Sequence, residues 1–255
     1  MVTTPPYQTS TNLNYTGVVH GFFGSEGGVS TGIFKSLNCS LQKGDDESNV
    51  MQNRRLICQT MDIEHMVTLR QVHKADVLIV NANTKNGNEM DAMVSNTCGI
   101  LLAIQTADCA PVLLVDPVAC VIGAIHAGWR SAVQGIAPNT ITAMQSLGAK
   151  SQNITAAIGP CIQQPSFEVG EDVFEAANDA TFFAPSSRHC AQHPYFNFDL
   201  PGYLMHQLKI SGIKSTISLQ LNTYALNNQY FSYRRACHAQ ESSCGGQLSV
   251  IGLAL

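Results

Sequence analysis

Charge is scarce in this chain. Asp, Glu, Lys and Arg make up only 13% of its 255 residues, and the formal balance is −4. No basic excess supplies an electrostatic footprint for nucleic acid, which is set aside as the principal partner. No apolar run is long enough for a membrane helix, which needs about 20 apolar residues in a row. The most apolar stretch, Gly99 to Ala127, is broken by Gln105, Asp108, Asp116 and His126, so core strands are expected there. The opening MVTTPPYQTSTNLNY lacks the basic and apolar regions of a signal peptide. The nine cysteines are odd in number and follow no framework spacing. Reduced thiols in a cytoplasmic protein are therefore expected, with Cys39, Cys58, Cys98 and Cys120 as small buried hydrophobes.

What is present is an ordinary core. Hydrophobic residues make up 45% of the chain, the reverse of the balance that gives disorder. Residues 1–16 are polar and rich in Pro, Thr and Asn, which predicts a flexible N-terminal segment, with one domain over 17–255. Strands are predicted at Val18–Phe23, Met66–Val72, Asp76–Val80, Ile100–Thr106, Val112–Asp116, Val121–Ile125 and Thr155–Ile158. Ile217–Leu219, Tyr230–Arg235 and Leu248–Leu253 are predicted to close the chain as further strands. Helices are predicted at Asp45–Met61, Gly128–Gly148, Val169–Asn178 and Pro201–Ser211, with Gly212 as a stop. Strict βαβ alternation is missing, so the expected class is α+β, with layered mixed sheets flanked by helices. There is no fixed-period repeat and no linker that divides the chain.

Three segments carry metal-competent side chains at the ends of apolar runs: RQVHKADV with His73, QTADCAPVLLVDP with Cys109, and GAIHAGWRSAVQGI with His126. Rigid strands can bring such residues together while the turns expose them. A His₂Cys set leaves a fourth position for water or substrate, the mark of a catalytic zinc site. The spacings of 36 and 17 residues match no local zinc-finger pattern. Two plainer readings therefore stand beside it. The three can be unrelated strand-end residues, or Cys109 can be a metal-free nucleophile with His73 or His126 as its base.

The set HGFF, GGVSTG, SLN, RQVH, TADCAPVLLVDP, HAGWR, GPCI, EVG and FSYRR resembles the laccase-domain (YfiH-like) family. That family is also described as multicopper polyphenol oxidoreductase, purine nucleoside phosphorylase and peptidoglycan editing factor. The resemblance runs in order from about His20 to the C-terminus. It implies a single YfiH-like domain and a zinc-dependent enzyme, with copper possible at the same ligands. The implied reactions are phosphorolysis of adenosine, inosine, guanosine and methylthioadenosine, and deamination of adenosine. His73, Cys109 and His126 fall on the family's metal ligands.

Arg130, beside the His126 turn, is a candidate anion binder. Arg234 and Arg235, adjacent in a predicted strand, should face opposite ways, so at most one lines the site. Asn38 and Gln71 are candidate substrate contacts, and Asp108 is a candidate carboxylate behind a ligand or else a turn cap. Trp129 is expected to pack. The chain departs from the family pattern at two points. No arginine precedes Gly27-Gly28, and Gly246 stands where a C-terminal arginine is expected. If those arginines grip phosphate, weaker phosphate binding is expected. The segment Cys237–Cys244 is expected as a solvent-exposed loop rather than a second metal site.

The competing functions are a metal-free Cys–His hydrolase editing cell-wall peptide precursors, a copper-dependent polyphenol oxidase, and a non-catalytic metal-binding protein. A multicopper cluster lacks ligands in the strong motifs, and no amphipathic docking stripe supports a scaffold. Nothing in the pattern specifies an oligomeric state.

Overall fold

The computed structural model describes residues 4–188 and 194–255. Its strands are β1 (Tyr7–Gln8), β2 (Val18–Phe23), β3 (His65–Thr68), β4 (Val77–Ile79), β5 (Ala92–Ser95), β6 (Ile100–Thr106) and β7 (Ala110–Asp116). There follow β8 (Val121–Ala127), β9 (Thr155–Ile158), β10 (Glu168–Val169), β11 (Phe183–Pro185), β12 (Phe196–Phe198), β13 (Ser215–Ser218) and β14 (Gln247–Leu253). The helices are α1 (Glu47–Met61), α2 (Trp129–Val133), α3 (Ile136–Ser146), α4 (Glu171–Ala177), α5 (Leu200–Ile210) and α6 (Tyr233–His238).

Two large sheets lie face to face. One has the order β1-β2-β14-β6-β3 and the other β13-β9-β7-β8-β5-β4. Most pairs are antiparallel, but β3–β6, β4–β5 and β9–β13 are parallel, so the sheets are mixed as expected. Alternate residues of a strand point to opposite faces, and here both faces are dry. Leu102 and Ile104 of β6 meet Leu113 and Val115 of β7 between the sheets. Leu101 and Ala103 turn the other way, towards Ile57 and Met61 of α1. Val112 and Leu114 face Ile136, Ile141 and Met144 of α3 and Leu204 and Leu208 of α5. The result is a four-layer domain, helix, sheet, sheet, helices. A strand buried on both sides reads as an unbroken apolar run, which is why β6, β7 and β8 stand out in the sequence. No helix among the described residues is long and apolar enough to cross a membrane.

Several expectations need correction. The helix predicted over Gly128–Gly148 is two helices, because Gly135 takes φ +83° and breaks the run. The predicted strand Tyr230–Arg235 is replaced by α6: Ser232 caps it, its side chain accepting from the Arg235 N–H. The strand expected over Met66–Val72 stops at Thr68, and Glu168–Val169 is a strand rather than the start of α4. The N-terminal composition predicts a flexible segment, whereas the described part of it packs on the domain. Tyr7–Gln8 pairs with β2, Leu13 is fully buried, and the Asn12 amide donates to the Ala156 carbonyl at 2.7 Å. The eight described cysteines are free thiols. Cys39 is buried and Cys58 half-buried, but Cys98 and Cys120 are exposed, since both sit in turns ahead of strands.

Candidate metal centre

Three turns or strand ends deliver the ligand set. His73 lies between β3 and β4, Cys109 just before β7, and His126 one residue from the end of β8. In the antiparallel register Pro111 faces His126 and Ala110 faces Ala127, which brings Cys109 level with the turn after β8. One donor atom from each of His73, Cys109 and His126 lies within 4.8 Å of the others. The two imidazoles meet edge-on, with ring centroids 4.8 Å apart.

One carboxylate holds this arrangement together. Asp91, fully buried at the start of β5, accepts the backbone N–H groups of Val72, His73 and Lys74 at 3.1, 3.0 and 2.7 Å. Three successive N–H groups converging on one anion shape the turn, and His73 takes φ +59° in it. The same carboxylate bonds His126 Nδ1 at 2.7 Å, leaving Nε2 as that ring's free donor atom. Burial would raise the Asp91 carboxyl, but the bonds from His126 and the backbone outweigh it and hold it below the ordinary carboxylate value. Burial would lower His126; the Cys109 sulfur and Asp91 overcome that and push it up to about 9. His73 is lowered, first by burial and then by His126, with Arg130 and Lys43 acting in the same direction and Asp91 against.

The turn after β8 makes room for the centre. A Cβ on Gly128 would stand 2.6 Å from His73 Nδ1 and 3.3 Å from the Cys109 sulfur. Only a glycine lets the backbone pass so close to both. Two imidazoles, one thiol, a carboxylate fixing one imidazole and this cradle together fit a single zinc-type ion with an open side. Among the described residues no other group of His, Cys, Asp or Glu has metal-ligand spacing, and residues 237–244 are not the wholly exposed loop expected, since Cys237 and His238 belong to α6 and Cys244 is buried. A cluster of several coppers has no ligand set there.

The centre opens into a cavity of about 760 Å³, within the usual range for small-molecule sites. Its walls carry Lys43, Arg54, Arg70, Arg130 and Arg234, against the single acid Asp108. Asp108 does not back a metal ligand. Its two oxygens accept from the Thr223 hydroxyl and the Arg234 N–H, both at 2.7 Å, tying the Cys109 turn to α6. The role expected of it belongs to Asp91, whose one local signal in the sequence is an acid directly ahead of the apolar run Ala92-Met93-Val94.

The candidate substrate contacts divide. Arg130 and Arg234 line the cavity, with guanidinium carbons 4.2 Å from the Trp129 ring centroid and 5.6 Å from that of Phe167. Arg235 turns away and donates to the carbonyls of Thr223, Tyr224 and Tyr230. One arginine of the pair therefore lines the site, because of helical geometry rather than strand alternation. Trp129 lines the cavity as well as packing on the core. Gln71 is on the wall, but its amide is committed to both backbone groups of Gln105, at 2.6 and 2.8 Å. Asn38 is not a wall residue. It is fully buried, donates to Asp45 at 2.9 Å, and accepts from the N–H groups of Ser40 and Gly246.

Residues 19–254 match the family model described as multi-copper polyphenol oxidoreductase laccase. The chain belongs to this family. Members similar to it include a purine nucleoside phosphorylase of Deinococcus radiodurans, 38% identical over 92% of this chain and 89% of that one. The purine nucleoside phosphorylase YfiH of Escherichia coli is 34% identical, with 82% and 85% covered. Among solved structures, YlmD from Geobacillus stearothermophilus superposes with a TM-score of 0.86 at 26% identity, covering 98% of this chain and all of the other. The family's fold and this chain's four-layer domain are therefore the same.

Proposed function

We propose that this chain is a zinc-dependent purine nucleoside phosphorylase that also deaminates adenosine. Its substrates on this reading are adenosine, inosine, guanosine and methylthioadenosine, together with inorganic phosphate. One observation carries the reading. A three-ligand His73–Cys109–His126 centre opens into the same cavity as Lys43, Arg130 and Arg234, whose side chains have no carboxylate partner among the described residues. The names of the relatives in Deinococcus and Escherichia support the substrate class.

A bound divalent ion would supply Lewis-acid polarisation of an oxygen at the open position. The chain's own residues do the rest. Asp91 holds His126 in one tautomer, and Gly128 leaves the space the two other ligands need. Arg130 and Arg234 attract and orient phosphate by charge and by hydrogen bonds. In phosphorolysis a phosphate oxygen bonds to the anomeric carbon as the bond to the purine nitrogen breaks. The purine leaves with the electron pair and takes up a proton, through an oxocarbenium-like transition state. In deamination, water adds its oxygen to the amino-bearing purine carbon and ammonia departs. Phe167, Leu200 and Trp129 supply apolar wall that limits competing water. The eight free thiols among the described residues agree with a reducing compartment such as the cytoplasm.

A second reading has its own support. Cys109, His126 and Asp91 are placed as nucleophile, base and orienting acid, with His126 Nδ1 donating to the Asp91 carboxylate. A metal-free hydrolase acting on cell-wall peptide precursors would use that set. Release of hypoxanthine from inosine, measured with and without phosphate and before and after chelation, separates the two. The proposed enzyme needs both phosphate and metal; turnover that survives complete metal removal contradicts it.

A further inference from the structure

Five basic residues line the cavity, and two of them are already engaged. The Arg54 guanidinium donates to the Cys39 carbonyl at 2.8 and 3.0 Å, and Arg70 pairs with Glu89 at 2.9 Å. Lys43, Arg130 and Arg234 have no carboxylate partner among the described residues. Each lies instead near an aromatic ring, and the Lys43 ammonium is 5.2 Å from the centroid of Tyr233. A ring steadies a cation without neutralising it. By contrast Arg188, which lies over Tyr195 outside the cavity, is paired with Glu168.

The backbone of the Lys43 loop is tied to the C-terminal segment. The Lys43 carbonyl accepts from the Ser243 hydroxyl at 2.7 Å. Asn38 joins the same loop to the C-terminal segment through Asp45 and the Gly246 N–H. Gly246 is where the family pattern expects an arginine, and a side chain there would start towards Gln105 on the cavity wall. Lys43 thus brings a positive charge in beside a segment that carries none at the expected position.

Building on the phosphorylase reading, we propose that Lys43 is a phosphate-binding residue, the third cation of a seat completed by Arg130 and Arg234. It holds the phosphate dianion by charge and hydrogen bonds and takes no part in bond breaking.

The test compares zinc-loaded wild type, Lys43→Met and Lys43→Arg for hypoxanthine release from inosine across a phosphate series. Loss of one charged hydrogen bond should raise the phosphate KM of Lys43→Met about tenfold, with the inosine KM moving less than about twofold and Lys43→Arg recovering most of the loss. A phosphate KM in Lys43→Met within about twofold of wild type overturns the assignment. Calorimetric titration of inorganic phosphate into the same proteins, which needs no turnover, must show the same weakening. If wild type releases no purine, the phosphorylase reading fails alone, and Lys43 stands or falls on the titration.

Discussion

Asp91 and the His126 ring are buried and bonded to each other, and Asp91 also to the backbone of residues 72–74, whereas Lys43, Arg130 and Arg234 hold charge near aromatic rings with no carboxylate paired to their side chains among the described residues. The two regions belong to one cavity but are prepared differently. In the candidate metal centre the His126 ring is fixed in advance by Asp91, as a ligand needs one tautomer and one orientation. The cationic rim is left electrostatically incomplete, and on the proposed function its partner is the phosphate that arrives as substrate.

The sharpest way to break that comparison is to remove the anchor of the fixed region. Asp91→Ala strands three backbone N–H groups and frees His126, so metal affinity should fall roughly 10- to 100-fold. Unfolding free energy should drop by about 3–5 kcal/mol, as when one partner of a buried pair is removed. Chelator competition and urea denaturation read the two effects, and an Asp91→Ala protein that holds zinc as tightly as wild type would remove the anchor from the account. The rim should behave in the opposite way. Arg130→Ala should keep the metal content while the phosphate-dependent kcat/KM falls roughly tenfold or more. Lost zinc in that variant would mean that the two regions are not separable.

Sequence legibility follows the same division. Strands β6, β7 and β8 are readable because each is buried on both faces, and α1 and α5 because caps and stop signals agree with their periodicity. Cys109 and His126 stand at the ends of those readable runs and His73 in the turn between β3 and β4, and the family motifs single all three out. Asp91 was invisible for a physical reason. Its partners lie 18 and 35 residues away, and an acid ahead of a short apolar run does not by itself point to a distant turn. Asn38 failed in the reverse direction. It sits in a motif, yet its amide is spent on joining two loops, which resembles a functional residue until the bonds are seen. The run Tyr230–Arg235 looks like a strand by residue type, but one Ser232 cap and one bond from Arg234 to Asp108 turn it into a helix. Lys43 looks like an ordinary loop lysine until the fold brings Tyr233 under it.

The smallest effect expected concerns His20, a buried ring outside the cavity that accepts the Ser10 N–H at 2.9 Å. Burial lowers its pKa from 6.5, so the fold favours the neutral ring. The unfolded chain then binds more protons at pH values between the lowered folded pKa and 6.5. Stability should accordingly be complete above 6.5 and decline as the pH falls, by at most about 1.4 kcal/mol per pH unit. Urea midpoints across this range should flatten in His20→Gln; an unchanged slope would assign the loss to other groups.

The central claim is that one metal held by His73, Cys109 and His126 serves phosphate-dependent cleavage of a purine nucleoside. Zinc content and purine release from inosine and adenosine, with and without phosphate, test it most directly when wild type is set beside Cys109→Ala. The account predicts about one zinc per wild-type chain, release that requires phosphate, and loss of both zinc and release in the variant. A wild-type protein that binds no metal and releases no purine, or a Cys109→Ala protein that retains both, would contradict it.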